Sequence, residues 1–323
     1  MNVLKLRLVI FFRKSRLLFA GLWLLLGISI CGQCAAKEIV KHYNQGFSPL
    51  LRVYLTDVLK LTMDATTEEY GPYELQYFSH FLSSNRSKLE TEKGILLDLL
   101  FSPHWRGHYV NTNNVIPVEF PVLNGMLGLR SLILTRENLP ALQRAMVPSA
   151  FKELVAGMGA KWVDVEIMAA NHIHVVEAQK FDALFPMLMH KRFDYVPLSV
   201  LEAQTALAEH RFTYPNLVIS DEVSLFYPIP FYLYVNARRP QLAERLEKGL
   251  QKIIADGSLE QLFEKHFSYV YTELQRTRKH LVILDNPLIT PEKNREHIQQ
   301  FLQKYQSSFS LLTEQQALLG AGF

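Results

Sequence analysis

The sequence predicts an α/β fold divided between two lobes. Strand-like runs alternate with helix-length amphipathic segments, and the alternation begins afresh after Leu139. The 323 residues, less a leader of 36, leave 287, enough for two lobes of roughly 100 to 150 residues each. The sequence shows no internal repeat and no low-complexity tract.

The leader comes first. Lys5, Arg7, Arg13, Lys14 and Arg16 precede the apolar run from Leu17 to Ile30, and CGQCAA follows with small residues. That order reads as a cleavable signal peptide, with cleavage expected after Ala36 and the periplasm as the expected address. The apolar run is shorter than the roughly 20 residues a spanning helix needs. Lipidation at Cys31 or Cys34 is the competing reading, weakened by the Ile30 and Gln33 that precede those cysteines. Losing five basic residues with the leader turns the formal charge of +3 into −2, so no nucleic-acid partner is expected. Both cysteines leave as well. A disulfide, a thiol nucleophile and a Cys-ligated metal are thereby excluded from the mature chain.

Each later element has its own signal. KEIVKHYN reads as a first strand. Ser48 suits a helix N-cap and Pro49 the first helical position, and Leu51, Tyr54, Val58 and Leu61 then recur at helical spacing. GPYELQYF alternates as a strand after a Gly71-Pro72 turn. Asn85 to Lys93 reads as polar helix, GILLDLLF as buried strand, and Ser102 to Asn114 as a loop carrying His104, Trp105, Arg106 and His108. VIPVEFPVLNGMLGLRSLILT is extended, with a turn at Asn124-Gly125. After Leu139 come VAGMG, the helix DVEIMAAN, the strand HIHVVEA, the helix KFDALFPMLMHKR, the strand FDYVPLS and the helix VLEAQTALAEHRF. LFYPIPFYLYVN reads as strand, and Pro240 to Phe267 as two helices broken at Asp256-Gly257. Past about Asn286 the chain reads as a tail with one polar helix, NREHIQQFLQKY.

The most specific segment is ARRPQLAERLEKGLQKIIADGSLEQLFEKHF, a helix, an Ala-Asp-Gly break and a second helix ending near Lys265 and Phe267. It resembles the end of the core in the bacterial extracellular solute-binding proteins of family 3, the amino-acid ABC-transporter type. The order of the preceding elements is similar too, with RFDYVPLSVLEA where that family places a lobe-2 strand and helix, and the resemblance runs from Glu38 to Leu284. It implies a two-lobed type 2 periplasmic-binding fold, each lobe a mixed sheet flanked by helices, with two crossing strands as hinge. It further implies residues 37–134 and 225–285 as lobe 1, 135–224 as lobe 2 and 286–323 as a C-terminal tail. The function it implies is closure on a small, anionic ligand, amino-acid-like or an organic acid. The chain would act as a monomer, without a cofactor, and be recognised by a membrane permease or a membrane sensor protein.

Gly157-Met158-Gly159 raises the separate thought of a nucleotide loop. A dinucleotide fingerprint needs a third glycine and a later acidic residue, and here Lys161 and Trp162 follow instead. Under the resemblance this is the first strand and helix of lobe 2, with the amides from Trp162 to Asp164 facing an anionic group.

Eight residues are candidates for the ligand site. Arg130, near the crossing into lobe 2, suits a bidentate carboxylate clamp or an interlobe salt bridge. Arg52 and Tyr54 sit in the first turns of the first helix, beside the cleft or simply on an amphipathic face. Tyr43 ends the first strand at its carboxyl end, where open α/β sheets place ligands. Trp162 would wall the pocket with a flat ring, and Asp164 is either a ligand group or a helix N-cap. Arg106 would reach in from the loop. Ser199 lies near the place where family members carry the acid that takes an α-ammonium.

Catalytic signals are weak. No G-x-S-x-G elbow, HExxH or P-loop occurs. His172 and His174 share a strand face, yet no third ligand at a fitting spacing accompanies them, so no metal is expected. An enzyme is not the expectation. Two alternatives stay open: a dehydratase or lyase on the same scaffold, using Asp164, Glu166 or Glu202 as acid or base, and an interaction protein with an unliganded cleft.

Overall fold

A computed structural model describes residues 37–44, 47–104, 112–145, 148–160, 162–276 and 278–311. The leader and Arg106 lie outside the described residues. Among those described, no helix is long and apolar enough to cross a membrane.

Two mixed sheets organise the chain, the two-lobed α/β architecture that was expected. The first runs in the order Tyr73–Tyr77 (β2), Glu38–Tyr43 (β1), Leu99–Pro103 (β3), Phe231–Asn236 (β10) and Val115–Val118 (β4). β1 and β3 are parallel, and β10 runs antiparallel to both β3 and β4. The second sheet takes the order Phe309–Leu311 (β12), Lys279–Ile283 (β11), Leu217–Phe226 (β9), Leu129–Thr135 (β5) and Val196–Ser199 (β8). A parallel pair, Ala156–Gly159 (β6) and Val175–Ala178 (β7), is joined to it by a bridge between Ala156 and Tyr195. The chain leaves the first sheet after β4 and re-enters it at β10. Between them β5 and β9 lie antiparallel, from Leu129 opposite Phe226 to Thr135 opposite Leu217.

Hydrophobic periodicity explains the cores. In the helix Pro49–Asp64 (α1), Leu51, Tyr54, Leu55, Val58 and Leu59 are buried, the three- and four-residue spacing of one helix face. The short helix Thr67–Tyr70 (α2) follows. Helices Pro240–Ala255 (α9) and Ser258–Arg276 (α10) add Leu246, Leu250, Phe263 and Phe267 to the same core, and Gly257 turns between them at φ 78°. In the second sheet Leu132 and Leu134 of β5 face one core and Ile133 the other, the two-residue alternation of a sheet covered on both faces. Asp164–Ala170 (α6) covers the first of these faces. Leu184–Met189 (α7) and Val200–His210 (α8) cover the other.

Several elements differ from the sequence reading. LFYPIPFYLYVN is not one strand: β9 starts back at Leu217, and Pro228 and Pro230, which cannot donate to a ladder, separate it from β10. β3 reaches Pro103, so Ser102 and Pro103 are strand rather than loop. The C-terminal helix Pro291–Tyr305 (α11) packs as core: Phe301 stacks on Phe226 at 3.8 Å between ring centroids. β11 and β12, which carry no separate signal in the sequence reading, extend the second sheet beyond β9.

Candidate functional site

A cleft of about 1130 Å³ opens between the two sheets. Its first wall rises from the ends of β1 and β3. Tyr43, the last residue of β1, is buried, and its hydroxyl donates to the Leu82 carbonyl (2.8 Å) and accepts from the Leu82 amide (2.9 Å). That double bond holds the segment Phe81 to Ser84 at the rim. Ser83 then caps the helix Ser84–Lys93 (α3), accepting from the Arg86 amide at 3.3 Å. Phe47, Leu51, Leu100 and Phe101 complete an apolar surface, with Lys88 of α3 as its one lining charge among the described residues.

The second wall carries charge. Arg130 of β5 stands opposite Ser199 of β8 and is 7% exposed. Its Nη2 donates to Asp164 Oδ1 at 2.5 Å, and its guanidinium carbon lies 4.9 Å from the Tyr227 ring centroid. The Tyr227 hydroxyl donates to the same Asp164 oxygen at 2.6 Å. Burial alone would lower the Arg130 pKa, but Asp164, Tyr227 and Glu202 together outweigh it and hold the group above its ordinary value. Burial, with Asp164 adding to it, pushes the Tyr227 hydroxyl well up. Asp164 is therefore a partner inside the fold: one carboxylate oxygen receives both a guanidinium and a phenol. The Arg130 Nε is buried with no partner among the described residues.

Glu202, in the first turn of α8, lines the same wall half-buried. Burial raises its pKa first, Asp164 raises it further and Arg130 opposes both. Among the described residues nothing donates a hydrogen bond to its carboxylate.

Trp162 lines the cleft, packed against both cores of the second sheet. The glycines before it serve ring packing. A Cβ on Gly159 would stand 2.4 Å from the Trp162 indole, and one on Gly157 would stand 2.2 Å from the Phe193 ring. The Trp162 amide donates to the Gly159 carbonyl at 3.1 Å, so it is spent on the turn and does not face a ligand.

Of the eight candidates, Tyr43, Arg130, Trp162 and Asp164 line this cleft. Tyr54 does not: it is fully buried, donates to the Val122 carbonyl at 2.5 Å and sits edge-on to Phe263 and Phe267. Its place in the Leu51–Val58 periodicity already assigns it to the core. Arg52, two residues earlier, lies outside the cleft lining. Ser199 is fully buried as the N-cap of α8, accepting from the Leu201 amide at 3.3 Å and donating to the Met126 carbonyl at 3.2 Å. Arg106 falls outside the described residues. The sequence reading missed Tyr227 and Phe81, and it weighed Glu202 only as an acid or base. A glutamate three residues past the strand, in a first helical turn, was the available signal for Glu202.

No protein-family model matches the sequence, and no curated protein does. Solved structures are similar in fold. One is the ligand-binding core of GluR0 in complex with L-glutamate, 12% identical over 72% of this chain and 99% of that one, TM-score 0.48. A second is an ancestral arginine-binding protein bound to arginine, 13% identical over 72% of this chain and 99% of that one, TM-score 0.49. A third is the periplasmic VFT2 domain of Bordetella pertussis BvgS, 15% identical over 70% of this chain and 92% of that one, TM-score 0.49.

Proposed function

We propose that this chain is an exported binding protein whose two lobes close over a small ligand in the cleft between them. One observation carries the reading: a large cleft takes its lining from both sheets, which the chain joins at three places, β4 to β5, β9 to β10 and α10 to β11. Such a connection permits a hinge motion, whose equilibrium a ligand shifts by its differential affinity for the closed form. The periplasmic address rests on the leader sequence, and the partner that reads the closed form is a permease or a sensor in the membrane. Arg130, the residue that suggested an anionic ligand, gives its Nη2 to Asp164.

Thermal unfolding of the purified protein against amino acids, organic acids, amines and short peptides tests the reading. A ligand at 100 times its Kd adds about 2.7 kcal/mol of stability, a clear rise in midpoint. Silence across the panel from folded protein would contradict it and favour an interaction protein with an unliganded cleft.

A hydro-lyase on the same scaffold is the second reading. In its favour, Asp164 and Glu202 line one cleft, and the burial that raises the Glu202 pKa suits a general acid. Product formed from a hydroxy or cyclic acid by the purified protein, and lost in Glu202→Gln, would establish it. No product from either class of acid would dispose of it.

A further inference from the structure

The two walls of the cleft do not carry balanced charge. Among the described residues that line it, Lys88 and Arg130 face Asp164, Glu166, Glu177 and Glu202. Arg130 and Asp164 neutralise one another across 2.5 Å. Lys88 has Glu92, four residues on along the same helix, as a charge partner. What remains on the second wall, Glu166 and Glu202, is acidic.

Three physical consequences point the same way. A carboxylate on the ligand would share Arg130 with Asp164, which already holds its Nη2, and would settle near Glu202, a carboxylate of its own sign. Glu202 is a half-buried carboxylate whose nearby cation, Arg130, is already bonded to Asp164, so a cationic ligand in the cleft would offset the repulsion between Glu202 and Asp164. Aromatic rings line the same space, with Trp162 on one wall and Phe47 and Phe81 on the other, and their faces attract organic cations.

We infer that the cleft takes a small organic cation, an alkylamine or alkylguanidinium, held by Glu202 and the Trp162 face, and that it requires no carboxylate on that ligand. The inference rests on the cleft being a binding site, and it narrows the chemistry of that site. Arg130 is then a fixed part of the wall, and the ligand's charge is answered by glutamate.

Agmatine and L-arginine share a guanidinium and differ in the α-carboxylate, so calorimetric titration of the purified protein with each tests the point, with succinate as the anionic arm. The expected result is that agmatine binds at least as tightly as L-arginine and that succinate gives no heat. Glu202→Gln should weaken agmatine about tenfold or more, the loss of a charge-assisted contact, and Glu202→Asp should recover part of it. The unfolding midpoint of each variant shows that the protein is folded. L-arginine binding tenfold tighter than agmatine, succinate binding alone, or agmatine affinity unmoved by Glu202→Gln would overturn the inference while leaving the binding reading standing. Silence from all three compounds overturns it too. If the wider panel is also silent, the binding reading falls with it.

Discussion

The two walls of the cleft are built by different means. On the first, Tyr43 and the Phe81–Ser84 rim present rings and hydroxyls, and the Tyr43 hydroxyl is bonded to both the amide and the carbonyl of Leu82. On the second, Arg130, Asp164 and Tyr227 are joined through one Asp164 oxygen, and Glu202 and Trp162 line the same wall. The contrast teaches where selectivity resides. Under the proposed binding reading, the first wall, its rings interleaved with serines and Lys88, would take the body of a ligand, and the second wall, with Arg130 tied to Asp164, would select on charge.

Substitutions separate the walls, beginning with the largest effect. Arg130→Ala leaves Asp164 and Tyr227 buried without their cation and should cost about 3 to 5 kcal/mol, read from the urea midpoint. An unchanged midpoint would make Asp164 a ligand group in waiting rather than a structural partner. Behind the first wall, His42 is buried in β1 and burial lowers its pKa to about 4 from 6.5. A depressed histidine stays neutral in the fold while the unfolded chain takes up a proton. The resulting contribution, about 3 kcal/mol, is full above pH 6.5, lost as pH falls toward 4, and gone below it. His42→Phe should flatten that part of the stability profile, and a profile identical to wild type would contradict the assignment.

Smaller effects come from the packing of each wall. Gly159→Ala drives a methyl into the Trp162 indole and should cost about 1 to 3 kcal/mol while moving the ring. Tryptophan fluorescence alongside thermal unfolding reads both consequences. Tyr43→Phe removes a hydroxyl that is both donor and acceptor for Leu82, a loss of about 1 kcal/mol. It should also speed amide exchange at Leu82 and Ser83, and unchanged exchange there would mean that the rim is held some other way. Cation binding by the second wall depends on Glu202 being ionised. Because burial raises its pKa, binding of a permanently charged cation should weaken on acidification earlier than an ordinary carboxylate would allow. Arg130, Asp164 and Tyr269, the charged and titratable neighbours of Glu202, modulate that profile. A flat profile down to the ordinary carboxylate range would remove Glu202 from the site.

Much of the fold was legible because its signals are local. Pro49 opens α1, the Leu51–Val58 spacing defines its buried face, and Gly257 takes the positive φ that breaks α9 from α10. The site was less legible because its side chains meet only through register. Nothing near Arg130 in sequence says that Asp164, 34 residues on, will take its guanidinium, or that Tyr227 will close the set. Tyr54 and Ser199 illustrate the opposite case. Helical periodicity and capping chemistry are sufficient reasons for both, and the structure places both where those reasons lead. The short strands β11 and β12 carry too few residues for a period to show, and only pairing with β9 defines them.

Hydrogen exchange tests the central claim, that a ligand lies between the walls, most directly. The panel compound that raises the unfolding midpoint most would be added, and amide protection compared with and without it. The account predicts that protection rises together at Leu82–Ser87 on the first wall and at Trp162–Val165 on the second. Protection confined to one wall, or appearing at neither, would contradict closure of the two lobes over a ligand.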